Sequence, residues 1–277
     1  KAGDWLNFSI FEIRVKEFGA MLGKNQTVDL NALTSYLSLL HKNSIAHMLE
    51  LLEINNLNIR KHICDVMVEV AKDDIDIIGR KVNDKRWYIV RNIAYILGRL
   101  GKAKGVEYLK RTLKYDEPRV RLESIKSLMH ISGDHAKDLL ISVISDNDSQ
   151  VRIQAVKGLA ALNHKKAVQP LIEFIRQEGF KKLEFAEKKE FFEALGKLGA
   201  NEVVPFLKNI YTKRPWFSRS AYEEFRICAI YGLGKTGTDD ALSVLQGLKE
   251  KPGSKIENIR LRAITEIKNS MGRPASP

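Results

Sequence analysis

The chain of 277 residues has only two cysteines, Cys64 and Cys228, far apart and in no CxxC pair. Neither a disulfide framework nor a thiolate metal site is indicated. Seven prolines and eighteen glycines are too few for a disordered or fibrous chain. No apolar run approaches the roughly 18–20 residues of a membrane-spanning helix, and the longest are broken by Arg, Lys or Asp. No basic–apolar–small leader pattern opens the sequence. Catalytic signatures are also missing. The histidines, at 41, 47, 62, 130, 135 and 164, form no HExxH, and no His-Glu dipeptide exists. No GxxxxGK[ST] or GxSxG is present. The acid pairs Asp73-Asp74 and Asp239-Asp240 stand at helix starts, where a carboxylate suits the helix dipole. No catalytic residue, cofactor or metal ligand is therefore assigned, and both thiols read as small buried side chains in a reducing, cytoplasmic setting.

What the sequence does have is periodicity. In the stretch from Val151 to Leu162, apolar residues fall at −1, +3, +7 and +10 from Arg152, which is one face of an α-helix. The same frame recurs around Arg60, Val90, Arg121, Arg152, Lys188, Arg226 and Arg260, at intervals of 30 to 38 residues. Position +7 is apolar in every row: Met67, Leu97, Leu128, Leu159, Leu195, Leu233 and Ile267. Position −1 is apolar in all rows but one, where Glu187 stands. Each row is followed by a turn and a second, shorter apolar helix. Gly101, Gly133, Asn163, Gly199 and Gly237 fall where a helix end needs a residue tolerant of positive φ. Asp84, Asp116 and Asp146 are the expected N-caps of the next first helix. Pro118, Pro170 and Pro205 stand near helix starts, where a missing N–H costs little.

Each unit thus reads as helix A, turn, helix B, and one pair cannot bury both apolar faces alone. Stacked neighbours can, which predicts an all-α solenoid of about seven helix pairs over residues 55–270. Residues 1–54 read as an irregular helical cap or degenerate repeat, with a helix pair over 29–40 and 44–54. Over 8–23, Phe11, Val15, Phe18 and Leu22 fit a helix face, the favoured reading, while residues 11–16 alternate like a strand. Residues 271–277 read as a disordered tail. The chain, opening on Lys1, is expected to be a fragment of a longer protein. The Val-Arg-x-x-Ala-x-x-x-Leu pattern, with Leu97-Gly98-Arg99-Leu100-Gly101 and Leu195-Gly196-Lys197-Leu198-Gly199, resembles the bacterial HEAT repeat of the phycobilisome-lyase type. That resemblance implies a helical scaffold whose B helices line a concave face. It is specific for fold and poor for function.

Candidate contacts come from where the rows break their rule. The two longest intervals carry extra residues between a helix B and the next helix A. One is near Phe180, Lys181 and Lys182. The other runs from Lys213 to Ser220 and includes Arg214, Pro215, Trp216, Phe217 and Arg219. An earlier joint holds Trp87 and Tyr88. Aromatics beside cations suit an interface hot spot or a stacking surface; equally, the rings can cover helix ends. The Arg at the reference position of most rows is expected to be structural, binding an acid or carbonyl of the preceding repeat. Lys110, Arg111, Lys114 and Lys208 on B helices form a possible concave basic patch, in keeping with a net charge of +12. The expected function is non-catalytic binding of a protein partner. The alternatives are a nucleic-acid-binding solenoid resembling the helical-repeat DNA glycosylases, with Asp84, Trp87 and Trp216 as conceivable parts, and a bilin lyase-like protein.

Overall fold

The computed structural model describes residues 35, 45–54, 56–131, 133–213 and 219–272. The helix expected over 8–23, nearly all of that over 29–40, and the end of the tail lie outside these residues. The chain divides into two compact units, Lys1–Ala136 and Lys137–Pro277. Both are all-α, and no strand occurs among the described residues.

In the first unit, helix α1 (Ile45–Leu51) precedes three A helices: α2 (Leu57–Ala71), α4 (Trp87–Leu100) and α6 (Pro118–Ile131). Between them lie the B helices α3 (Ile75–Gly79), extended by a 3-10 turn over Arg80–Asn83, and α5 (Gly105–Thr112). Helix α7 (Asp134–Ile141) begins at the end of this unit. In the second unit the A helices are α8 (Ser149–Ala161), α11 (Phe185–Gly199), α13 (Arg219–Thr236) and α15 (Lys255–Ser270). The B helices are α9 (Val168–Arg176), α12 (Val204–Thr212) and α14 (Asp239–Gly247), with a short α10 (Glu178–Lys181) after α9.

Every row of the sequence register is an A helix, and the register places the core. All seven +7 residues, Met67, Leu97, Leu128, Leu159, Leu195, Leu233 and Ile267, are 0% exposed. Leu159→Ala should therefore cost about 2–5 kcal/mol, the range for a buried leucine that leaves a cavity. Chemical denaturation checks this, and a loss below about 0.5 kcal/mol would place Leu159 on the surface. The one hydroxyl at +3, Ser124, is also buried; it bonds Thr112 Oγ1 at 2.6 Å and the carbonyl of Val120 at 2.8 Å.

The Leu-Gly-x-Leu-Gly motif has a packing reason. Its first glycine lies on the face where consecutive A helices meet. A Cβ on Gly98 would stand 2.5 Å from Ser127 Oγ, and one on Gly196 would stand 1.9 Å from the carbonyl oxygen of Gly232. The second glycine differs between the two copies. Gly101 ends α4 with φ 64°, whereas Gly199 keeps φ −92° and passes the left-handed position to Ala200, at φ 42° and ψ −123°. Among the other expected turn residues, Asn163 and Gly237 have positive φ. An alanine at Ala200's angles is strained by roughly 1–3 kcal/mol, which exceeds the entropic cost of glycine. Ala200→Gly should therefore stabilise the second unit by about 1 kcal/mol, seen as a higher denaturation midpoint; a lower midpoint would show that Ala200 is unstrained.

The expected N-caps need correction. The cap positions are Arg86 before α4 and Asp148 before α8; Glu117 precedes α6. Asp148 accepts from the N–H of Val151 at 3.0 Å. Asp84 and Asp146 act one step earlier, each accepting at 2.8 Å the N–H of the cap residue itself, Arg86 and Asp148. Asp116 contributes its backbone carbonyl to Arg121 instead.

Candidate interaction surface

Most cations on A helices are spent on the framework. Arg60 Nη1 donates to the carbonyl of Ile54 at 2.6 Å, and Arg121 Nη1 to that of Tyr115 at 2.7 Å. Arg152 Nη1 does the same with Asp146 at 2.6 Å. In each case the acceptor lies six residues upstream, in the joint leading into the helix, so the guanidinium ties the helix to the turn that feeds it. Arg260 Nη1 reaches the carbonyl of Leu245 at 2.7 Å. Four ion pairs accompany this in the second unit: Arg152 with Glu187, Lys188 with Glu224, Arg226 with Glu250, and Arg260 with Glu257. The expectation that these arginines are structural holds. Arg152 adds a bond forward, to the next row, through the one acid found at a −1 position.

Phe180, expected at a partner contact, is a correction. The extra residues at 178–182 fold as α10, and Phe180 is 1% exposed. Its ring meets Phe174 at 5.7 Å, Phe191 at 5.4 Å and Phe225 at 6.0 Å between centroids. The insertion fills a joint with aromatic core, because a ring of that size gains more by burial than by exposure. Lys181 and Lys182 remain exposed, with Lys181 bonded to Glu178 at 2.6 Å. Lys213 is exposed at the end of α12. Arg214, Trp216 and Phe217 lie outside the described residues, as does the side chain of Arg219.

Trp87 and Tyr88 are half-buried at the start of α4. The Arg119 guanidinium lies 3.9 Å from the Trp87 ring centroid and donates through Nε to Glu117 at 2.7 Å. Tyr88 packs edge-on against Trp87 and donates to Glu53 at 3.3 Å. Trp87 is thus already covered by a cation of its own unit.

The B helices of the first unit look different. Tyr108 Oη donates to Asp76 Oδ1 at 2.6 Å, and Lys104 Nζ to Oδ2 at 2.5 Å. The hydrogen bond from Lys104, then that from Tyr108, holds the Asp76 carboxyl below the usual carboxylate range. The Tyr108 ring lies so close to Gly79 that a Cβ there would stand 2.3 Å from it. Tyr115 Oη donates to the carbonyls of Asp84 at 3.1 Å and Lys85 at 3.0 Å. Two tyrosines therefore clamp α5 and the chain after it onto the preceding α3 segment. Exposed on this clamped platform are Arg80, Lys81 and Lys85 from the first segment, and Lys110, Arg111 and Lys114 from the second. None of the six forms an ion pair among the described residues. Arg111 lies 5.9 Å from the Tyr108 ring centroid. Lys110, Arg111 and Lys114 were foreseen; Arg80, Lys81 and Lys85 were not, though the run of charge from 80 to 115 marks them. Lys208, on α12, is also exposed.

Other chemistry is sparse. No group of three His, Cys, Asp or Glu able to hold a metal occurs among the described residues. His164 is buried and bonds Asp138 Oδ1 at 2.7 Å. Cys64 and Cys228 are both buried, and burial pushes each thiol pKa up to about 12.

Residues 137–224 match the family of HEAT repeats. No curated protein matches the chain in sequence. Among solved structures, the chain is similar to the complex of CpcE and CpcF of phycocyanin lyase from Nostoc sp. PCC7120, at 16% identity and a TM-score of 0.40, covering 82% of this chain and 93% of that one. It is similar to an engineered protein at 16% identity and a TM-score of 0.43, covering 93% and 78%. Human deoxyhypusine hydroxylase matches at 16% identity and a TM-score of 0.33, covering 95% and 99%. None of these likenesses bears on activity.

Proposed function

From a chain that carries HEAT repeats over residues 137–224, we propose a non-catalytic scaffold that binds a protein partner in a reducing, cytoplasmic setting. One contrast carries the reading. The A-helix arginines at the reference positions are consumed by carbonyls and carboxylates of the fold, while the B-helix cations of the first unit are exposed and unpaired. Charge left unpaired on a rigid platform lowers no energy within the fold; it is available to a partner. Lys181, Lys182, Lys208 and Lys213 are proposed as further contacts, together with Arg214, Trp216, Phe217 and Arg219, whose composition is that of an interface hot spot. Among the described residues no helix is long and apolar enough to cross a membrane.

Amine-reactive cross-linking of captured partners, read by mass spectrometry, tests this. Partner cross-links should concentrate on Lys81, Lys85, Lys110, Lys114, Lys181, Lys182, Lys208 and Lys213. An even spread that includes A-helix lysines such as Lys126 and Lys157 would contradict the proposal.

A second reading, a nucleic-acid partner, is favoured by the concentration of charge. Residues 80–115 hold eleven Lys and Arg against two acids, a net +9 of the chain's +12. Phosphate contacts would give a steep fall of log K with log salt.

A further inference from the structure

We propose that the Arg80–Lys114 platform binds an acidic protein segment, a short extended stretch rich in Asp and Glu. This rests on the scaffold reading and names the chemistry of its partner. The first observation is the charge distribution. The unit Lys1–Ala136 has a net charge of +5, of which residues 80–115 carry +9. Its remainder is therefore net −4, so this stretch, which supplies the six platform cations, is a cationic island in an otherwise acidic unit. The second observation is rigidity without neutralisation. Tyr108 and Tyr115 lock the two segments together through Asp76 and the carbonyls of Asp84 and Lys85, and Lys104 neutralises Asp76. The six remaining cations are left facing solvent. Like charges held together repel, and a Debye length of about 8 Å at physiological salt does not screen them from each other. A bound anion relieves that repulsion.

The dimensions suit a peptide. Lys110, on α5, and Lys114, in the turn that follows it, are four residues apart, about 6 Å at a helical rise. Alternate carboxylates of an extended strand are spaced about 6.6 Å apart on one face. Packed segments lie roughly 8–10 Å from each other, so long cationic side chains from both are within reach of one strand. Two other polyanions fit less well. A nucleic acid would run past the exposed acids Glu107 and Asp116 at the platform's edges, and would find no stacking surface. The hydroxyls of Tyr108 and Tyr115 are bonded, and Arg119 covers Trp87. A lipid surface would need an apolar wedge beside the charge. The large exposed apolar residues among those described, Leu57 and Leu261, belong to A helices.

The test compares the intact chain with Lys110→Glu/Arg111→Glu/Lys114→Glu, and with Lys165→Glu/Lys251→Glu/Lys255→Glu, three exposed lysines of the second unit, as the control. Probes are a fluorescent Glu-rich peptide, a duplex DNA of mixed sequence, and phosphatidylcholine vesicles containing phosphatidylserine. The peptide should bind the intact chain, lose affinity at least about tenfold in the first variant, and change little in the control. The first variant should melt only slightly lower than the intact chain, because it loses no ion pair, only the Arg111 contact with the Tyr108 ring and favourable charge in the last turn of α5. Absence of peptide binding at low salt overturns the inference, as does equal loss in both variants. DNA or vesicle binding that persists at about 150 mM salt and vanishes in the first variant assigns the platform to that polyanion instead. Partner proteins captured equally by the intact chain and the first variant would leave the scaffold standing and remove only this site. Failure of the intact chain to capture any would remove the scaffold reading itself.

Discussion

Glu187→Gln should destabilise the second unit by about 3–5 kcal/mol, the cost of stripping one partner from a buried ion pair. Glu187 is buried at a position that is apolar in every other row. Both its oxygens are used: Oε1 accepts from Arg152 Nε at 2.5 Å, and Oε2 from Nη2 at 2.8 Å and from Ser149 Oγ at 2.9 Å. Glutamine keeps the shape and removes the charge, so a guanidinium whose side chain is 11% exposed is left uncompensated. The denaturation midpoint in urea reads the effect. Replacing both residues, as Arg152→Leu/Glu187→Leu, should recover much of the loss, because an apolar pair carries no desolvation penalty. A single substitution costing under about 0.5 kcal/mol would mean that water reaches the pair. Lys188 and Glu224 should be more forgiving, since Glu224 is 38% exposed.

Gly196→Ala should cost about 3 kcal/mol or more, at the upper end of what overpacking does. The new methyl would meet the backbone carbonyl of Gly232, which cannot rotate away as a side chain can. Helices α11 and α13 must separate, opening contacts along their length. Gly247→Ala is the control. Nothing lies within 4 Å of its Cβ position at the end of α14, so it should be neutral or slightly stabilising. Matching melting temperatures for the two variants would show that the helices do not approach this closely.

How far the sequence foretold these features depends on whether a residue's role is periodic. Leu159 and its six counterparts announce themselves, because burial at one helical face repeats with the row. Gly196 stands in a recognisable motif, yet which of its two glycines makes the close approach depends on the neighbouring helix. Phe180 was misread for a related reason. An insertion breaks the period, and nothing local distinguishes a displayed ring from one folded back into a cluster of phenylalanines 11 and 12 residues further along. Glu187 was visible as an exception without an explanation, since its partner lies 35 residues earlier. The platform was half legible. Lys110 and Arg111 share a helix with Lys114 just past its end, whereas Arg80, Lys81 and Lys85 join them only through the Tyr108 and Tyr115 clamps.

The two thiols offer one more use of the fold. Each compact unit contains one cysteine, Cys64 in the first and Cys228 in the second, and both are buried with the pKa pushed up to about 12. At neutral pH the reactive thiolate is scarce and shielded, so alkylating reagents must wait for the surrounding helices to open. Labelling rate at each cysteine, resolved by peptide mass, is then a clock for the opening of its own unit. The native chain thus carries two built-in, independent reporters that require no engineered probe.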